Sequence, residues 1–236
     1  MSVGRAMAMP EAQLGLPVQL RDEATLDNFC FAARLLPLRQ LLQAPGGELS
    51  LYVHGPSGSG RSHLLQAACQ SRPSGASLYL PLAQLSAMSP TSVLEGIETL
   101  SLVCLDDLQA VAGDRDWEQA LFVLVNRARE TGCLLVVSAD TAPAQLGIQL
   151  PDLASRLAWS TVFQLRHASD EEKQEILQYR AARRGMQLED DAARFILARA
   201  PRGMSDLMAV LETLDRDSIA MQRSLTIPFI KQRLGW

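Results

Sequence analysis

The sequence predicts an α/β domain of the phosphate-loop type that is followed by a small all-helical unit. A short apolar run at residues 51–54 leads into a glycine-rich loop and then into apolar positions with helical spacing. Further apolar runs of strand length alternate with helical patterns up to residue 165, which is typical of a parallel sheet flanked by helices. From residue 169 onward the pattern is helical throughout, so the sheet ends near residue 166.

The elements follow one another in a regular order. A helical segment at 31–43 comes first, and the proline and glycines at 45–47 end it. The predicted strands lie at 51–54, 77–82, 100–107, 133–138 and 161–165. Helical patterns lie between them up to residue 70, at 84–97, at 114–130 and from 150. After the last strand, the predicted helices are 169–184, 189–199, 205–222 and a short one from 226.

Composition favours a cytoplasmic protein with a substantial core. Hydrophobic residues make up 47% of the 236 positions, and the net charge of −4 argues against a broad nucleic-acid surface. The four cysteines lack metal-ligand spacing and are interpreted as buried free thiols in a reducing compartment. No apolar run approaches the ~20 residues of a membrane span, and the amino terminus lacks a signal-peptide core.

The glycine-rich loop carries the strongest functional pattern. Residues 55–62 fit G-x-x-x-x-G-K-[ST] at every fixed position except the lysine. Glycines in such a loop let successive N–H groups face inward and, with the helix N-terminus, bind phosphates, while the Ser62 hydroxyl would reach Mg²⁺. A glycine turn without a ligand is the alternative. The predicted nucleotide-binding residues of the loop are Gly55, Pro56, Ser57, Gly58, Ser59, Gly60, Arg61 and Ser62.

Arg61 stands where the motif has lysine. Lysine would place a compact ammonium between the β- and γ-phosphates, whereas arginine brings a bulkier planar fork with a different reach. We therefore expect phosphate binding but inefficient hydrolysis by the chain alone.

The predicted strand at 100–107 ends in two carboxylates. Oxygen ligands suit Mg²⁺, so Asp106 is predicted to orient the metal through its water and Asp107 to polarise the attacking water. A solvated turn is the alternative. At the end of the next strand, a polar side chain could sense the γ-phosphate or merely cap the strand. Arg156 lies on the short helix from 150, where an ordinary surface ion pair is the alternative to a functional role.

The tail before residue 25 shows no convincing helix or strand pattern. It contains Gln13, Leu14, Leu16 and Pro17, and the proline favours an extended backbone before it. From physical chemistry alone, a solvated leader whose leucines cover part of the domain is slightly favoured over a segment that binds a groove.

Together these motifs resemble the AAA+ domain of the bacterial replication initiator DnaA and, more closely, the Hda family of short DnaA paralogues. The resemblance lies in residues 25–29, 55–64, 104–107, 112–114, 150–157 and 225–229. It implies a five-stranded parallel sheet flanked by helices and a C-terminal helical lid. The implied division is a tail at 1–24, an AAA+ domain at 25–166 and a lid at 167–236.

The resemblance also implies site residues and partners. His63 extends the nucleotide site, Asp140 matches the first sensor, and Arg156 matches an arginine finger that acts in trans. Ser205 stands where the family has its second sensor arginine, so either Arg202 substitutes or the contact is absent. Four tail residues match the motif that binds the β sliding clamp of DNA polymerase III, which reverses the interpretation of the tail: Gln13, Leu14, Leu16 and Pro17.

The implied function is a nucleotide-bound adaptor that docks on the DNA-loaded clamp and stimulates ATP hydrolysis by DnaA, which prevents re-initiation. The implied cofactors are ADP, or another nucleoside diphosphate or ATP, and Mg²⁺. An autonomous AAA+ ATPase acting on DNA or a helicase is the main alternative. No basic DNA-reading domain is expected, and homo-oligomer formation is left open.

Overall fold

In the computed structural model the described residues are 24–44, 47, 49–201, 203–221 and 225–236, with the backbone alone described at 217–221. The clamp-motif residues predicted in the tail lie outside this range, and so does Arg202 of the lid. Within the described residues, none of the helices has both the length and the apolar character needed to cross a bilayer.

Five parallel strands form a single sheet, as the sequence predicts. They are β1 (Ser50–His54), β2 (Ser77–Pro81), β3 (Leu102–Asp106), β4 (Leu134–Ala139) and β5 (Thr161–Gln164). Their order is β2-β3-β4-β1-β5, so β1 lies in the interior and β5 forms an edge. Tyr52 pairs with Val137 of β4 and with Val162 of β5. The carboxyl ends of all five strands therefore meet at one edge, where the glycine loop begins.

The α-helices lie in or close to the predicted segments. Before and between the strands lie α1 (Leu36–Gln43), α2 (Arg61–Gln70), α3 (Leu82–Leu85), α4 (Pro90–Leu94), α5 (Arg115–Thr131) and α6 (Pro151–Ala158). The helical lid consists of α7 (Asp170–Arg183), α8 (Asp190–Arg199), α9 (Met204–Met221) and α10 (Ile227–Leu234). Ser169 and Glu172 form a capping box at the start of α7, because each side chain bonds the backbone N–H of the other residue.

Apolar side chains bury both faces of the sheet and a separate lid core. Alternation along β1 places Tyr52 in a cluster with α5, whereas Leu51 and Val53 join a cluster with α1 and α2. The lid has its own core, which includes Leu177, Ile196, Leu211 and Ile230. The sheet and the lid thus have separate cores, while the exact boundaries at residues 24 and 166 stay a prediction.

Two expectations differ from the structure. Cys69, Cys104 and Cys133 are buried, but Cys30 is exposed, so the expectation of a buried thiol is wrong at that position. Cys30 lies in an irregular segment before the first helical turn, outside either sheet core. The predicted strand at 100–107 ends at Asp106, because Asp107 adopts a left-handed backbone with φ of 59°.

Candidate nucleotide site

The glycine loop joins β1 to α2, and its conformation depends on the absence of side chains. A Cβ at Gly55 would lie 2.4 Å from the carbonyl oxygen of Leu165, closer than real Cβ contacts allow. Gly58 and Gly60 have φ of 79° and 94°, in the left-handed region that glycine adopts readily. Glycine at these three positions therefore permits the turn between strand and helix.

The start of α2 can accept an anion. Gly60 is its N-cap and supplies no side-chain hydrogen bond to the first helical N–H groups. The Ser59 hydroxyl is buried and has no hydrogen-bond partner within the described residues. Exposed residues Pro56, Ser57 and Gly58 form the outer part of the loop. Uncapped N–H groups at a helix N-terminus, together with a glycine loop, fit a phosphate group.

Arg61 connects the loop to the end of β3. Its guanidinium Nη1 donates to the carbonyl oxygen of Gly55, and Nη2 donates to Oδ1 of Asp107 at 2.8 Å. The Arg61 side chain is 9% exposed and that of Asp107 is 29% exposed, so the guanidinium is shielded from water while the carboxylate is partly open to it. The carboxylate predicted to polarise water, that of Asp107, is therefore paired with a positive charge of the same chain.

The other carboxylate of the pair is buried among hydroxyl groups. Asp106 is 1% exposed and accepts hydrogen bonds from Tyr79 Oη at 2.6 Å and from Ser138 Oγ. The Tyr79 hydroxyl also interacts with the side chains of Ser62 and Gln66. Burial, followed by the charge of Asp106, raises the pKa of Tyr79 well above its ordinary value. Tyr79 thereby brings the two predicted magnesium residues, Ser62 and Asp106, to one place.

These groups suit a magnesium ion that is completed by phosphate oxygens and water, the usual form of such a site. Ser62 offers a hydroxyl and Asp106 a carboxylate. Among the described residues no group of three or more His, Cys, Asp or Glu side chains could hold a metal ion. The fit to Mg²⁺ therefore depends on a nucleotide that supplies part of the ligand shell.

Polar residues link the ends of β3 and β4. Asp107 donates its N–H to Ser138 Oγ at 3.1 Å, and its Oδ1 accepts from Gln109 Nε2 at 2.9 Å. Gln109 Oε1 in turn accepts the N–H of Asp140 at 3.2 Å. Asp140 is exposed at the carboxyl edge of the sheet, next to Tyr52, whose pKa is raised by burial and then by the Asp140 charge. The predicted sensor thus lies beside the two acids.

The sequence indicated some of these contacts and missed others. Ser138 is a polar residue at the end of an otherwise apolar strand, and that signal was visible. Tyr79 and Gln109 carried no comparable signal, because their partners lie on other elements.

Residues 27–29 connect the loop to the lid. The Phe29 ring packs beside Gly60, because a Cβ added to Gly60 would lie 3.2 Å from a carbon of this ring. The centroids of the Phe29 and His63 rings are 5.9 Å apart. From the lid, Tyr179 Oη donates to the Asp27 carbonyl at 2.6 Å, and Arg180 donates to the Asn28 carbonyl at 3.3 Å. His63 therefore lies beside this connecting segment rather than at the acids. Ser205 is exposed in the first turn of α9.

Arg156 lies on α6, away from the hydrogen bonds of the loop. It is half-buried, and its guanidinium carbon lies 4.9 Å from the ring centroid of Trp159. Among the described residues it forms no ion pair with an acidic side chain, in contrast to the alternative weighed from the sequence. The structure therefore brings together the loop, Asp106, Asp107 and the Asp140 region but places Arg156 elsewhere.

Comparison with known proteins identifies relatives of both parts. The lid helices match the family model of the Hda lid domain over residues 170–234. Over 229 residues the chain is 43% identical to an uncharacterized protein of Haemophilus influenzae. This alignment covers 94% of this chain and 98% of that protein.

Solved structures of AAA+ proteins share the fold. Domain III of the replication initiation protein DnaA from Thermotoga maritima matches with a TM-score of 0.71 and 19% identity, over 92% of this chain and 98% of that chain. AMPPCP-bound DnaA from Aquifex aeolicus matches with a TM-score of 0.69 and 17% identity, over 85% of this chain and 68% of that chain. The RuvB Holliday junction branch migration motor of Thermotoga maritima matches with a TM-score of 0.63 and 16% identity, over 92% of this chain and 72% of that chain.

Proposed function

This chain belongs to the family of Hda-like DnaA paralogues, and we propose that it is a nucleotide-bound regulator that stimulates ATP hydrolysis by DnaA in trans. The observation that carries this proposal is the contrast between two arginines. Arg61 is held inside the chain by Gly55 and Asp107. Arg156 contacts an exposed aromatic ring and forms no ion pair within the described residues. Its charge is available to a phosphate of another molecule.

The chain's own loop binds ADP or ATP in this proposal. The loop N–H groups and the start of α2 hold the phosphates, and Ser62 and Asp106 hold Mg²⁺, which neutralises phosphate charge when bound. Arg61 keeps Oδ1 of Asp107 paired, so that this oxygen is less available to orient attacking water. We infer that bound nucleotide persists and serves as a structural ligand.

Arg156 supplies the catalytic contribution to the partner. An arginine inserted from a second protein stabilises charge on a transferring phosphoryl group, and this effect is worth about 10³-fold or more in rate. Docking on the β sliding clamp of DNA polymerase III through Gln13, Leu14, Leu16 and Pro17 would bring the chain to DNA where replication has begun. The clamp part of the proposal rests on the sequence motif alone.

The test is ATP hydrolysis measured with this chain alone, with DnaA, and with DnaA plus DNA-loaded clamp. We expect negligible turnover alone and strong stimulation only with all three components. Arg156→Ala should lose the stimulation and keep both ADP and clamp binding, whereas Gln13→Ala with Leu16→Ala should lose clamp binding, and with it the clamp-dependent stimulation, and keep ADP binding. Arg129→Ala is a matched control, because Arg129 is an exposed arginine on α5.

The alternative of an autonomous ATPase gives a different result. Brisk turnover by the chain alone, unaffected by Arg156→Ala, would overturn the proposal. Full stimulation of DnaA by the Arg156→Ala variant would remove Arg156 from its role, even if the regulatory function holds.

A further inference from the structure

Trp159 is the most exposed of the large apolar side chains in the described residues. Its side chain follows the last turn of α6 and is 68% exposed, whereas Trp117 of α5 is 2% exposed. Burial therefore does not account for a tryptophan at this position. The neighbouring strand β5 forms the edge of the sheet, and Val162 on it is 43% exposed.

The backbone places Trp159 at a fixed distance from Arg156. The Trp159 N–H donates to the carbonyl oxygens of Ser155 and Arg156, both at 3.2 Å, so the residue closes the last turn of the helix. Residues three apart on a helix lie on the same face, and the indole is consequently next to the Arg156 side chain.

The contact between the two side chains is a cation–π interaction. The guanidinium carbon lies 4.9 Å from the ring centroid, within the ~6 Å over which the indole face attracts a cation. An arginine side chain otherwise samples many rotamers and loses that freedom when it binds an anion. A ring beside the guanidinium restricts the side chain beforehand, and because the contact is not an N–H···O bond it leaves N–H donors for a ligand.

We propose that Trp159 is a positioning residue that holds Arg156 ready for the phosphates of a nucleoside triphosphate bound by a second protein. This inference rests on the proposed function. In this role Trp159 itself contacts no phosphate. An alternative role for an exposed tryptophan is apolar docking on the partner surface, and the two roles change different kinetic parameters.

The test compares Trp159→Phe and Trp159→Leu in stimulated hydrolysis by DnaA. Both substitutions keep an apolar side chain, but only phenylalanine keeps a π face. We expect Trp159→Leu to lower the maximal rate about 5- to 30-fold with little change in the half-saturating concentration of this chain, and Trp159→Phe to retain most of the rate.

Other outcomes would overturn the inference. Equal behaviour of the Phe and Leu variants, or a raised half-saturating concentration at an unchanged maximal rate, would assign Trp159 to apolar docking. If wild type stimulates hydrolysis and Arg156→Ala abolishes it, but Trp159→Leu is fully active, this inference alone fails. Absence of stimulation by wild type would overturn the proposed function together with it.

A measurement on the isolated chain tests the contact without the partner. The Arg156 Nε–H resonance, assigned by its loss in Arg156→Ala, should be displaced by the indole ring current and move toward its free position in Trp159→Leu. Melting temperatures should match, since Trp159 is largely exposed. An undisplaced resonance in wild type would contradict the proposed positioning, whatever the hydrolysis assay gives.

Discussion

Glu118 of α5 gives a prediction whose size follows from its hydrogen bonds. Its carboxylate is 1% exposed and accepts three backbone N–H groups. Oε1 accepts from Gly113 at 2.8 Å and from Gln149 at 3.0 Å, while Oε2 accepts from Gln149 at 3.0 Å and from Leu150 at 2.7 Å. Gln149 and Leu150 lead directly into α6, so this one carboxylate fixes the start of the helix that carries Arg156.

Glu118→Gln keeps the shape and replaces one acceptor oxygen with a donor amide. Whichever way the amide turns, the N–H of either Gly113 or Leu150 faces a donor. An unsatisfied buried donor costs ~1–3 kcal/mol, and the remaining bonds weaken from charged to neutral, while removal of a buried charge offsets part of this loss. We expect a net destabilisation of about 3 kcal/mol, which for a chain of this size corresponds to ~6–12 °C in melting temperature.

The assay is urea and thermal unfolding followed by circular dichroism, with Glu130→Gln as the matched control. Glu130 lies on the same helix but is exposed, so its variant should stay within ~0.5 kcal/mol of wild type. If Glu118→Gln were equally mild, the carboxylate would not be holding the loop before α6, and the argument from its three donors would be refuted.

Two further predictions concern the glycine loop. Gly55→Ala should weaken binding of a fluorescent ADP analogue at least about tenfold, because its Cβ would lie 2.4 Å from the Leu165 carbonyl oxygen. Gly75→Ala is the control for replacing a glycine outside the loop, because a Cβ there meets open space although the φ of 77° adds local strain, and equal ADP affinity of the two variants would contradict this. Arg61→Lys should raise single-turnover ATP hydrolysis by the isolated chain, since a compact ammonium cannot bridge Gly55 and Asp107 as the guanidinium does. An unchanged or lower rate would show that the ion pair does not restrain Asp107.

The sheet was predictable because its interior strands are buried on both faces. Each of the interior strands β1, β3 and β4 is a nearly continuous apolar run, which is the pattern of a parallel sheet covered by helices. The loop was predictable because its glycines are required locally, at Gly55 by a close backbone contact and at Gly60 by a left-handed φ. Such local requirements leave a signature in the residue order.

The connections between elements were not predictable in the same way. Arg61 and Asp107 are 46 positions apart, and Glu118 is 31 or more positions from Gln149 and Leu150. The residues around Asp107 and Glu118 in the sequence do not indicate the partner of either acid, because each pairing depends on the order of the strands and the path of the loops. The observed end of β3 differs from the predicted end for the same reason. The left-handed turn at Asp107 is stabilised by Ser138, Gln109 and Arg61, which lie on other elements or in other loops.

The two arginines differ in which donors remain available, and this difference supports action in trans. A guanidinium has five N–H donors in one plane. Arg61 uses its two terminal nitrogens on acceptors of its own chain, so it can approach a phosphate fully only by giving up the Gly55 carbonyl or the Asp107 carboxylate. Arg156 lies over the Trp159 ring with its guanidinium carbon 4.9 Å from the ring centroid, and because this contact is not an N–H···O bond it leaves N–H donors for an anion. A chain that restrains the arginine at its own loop and presents another beside a sheet edge is better suited to a partner's nucleotide than to its own.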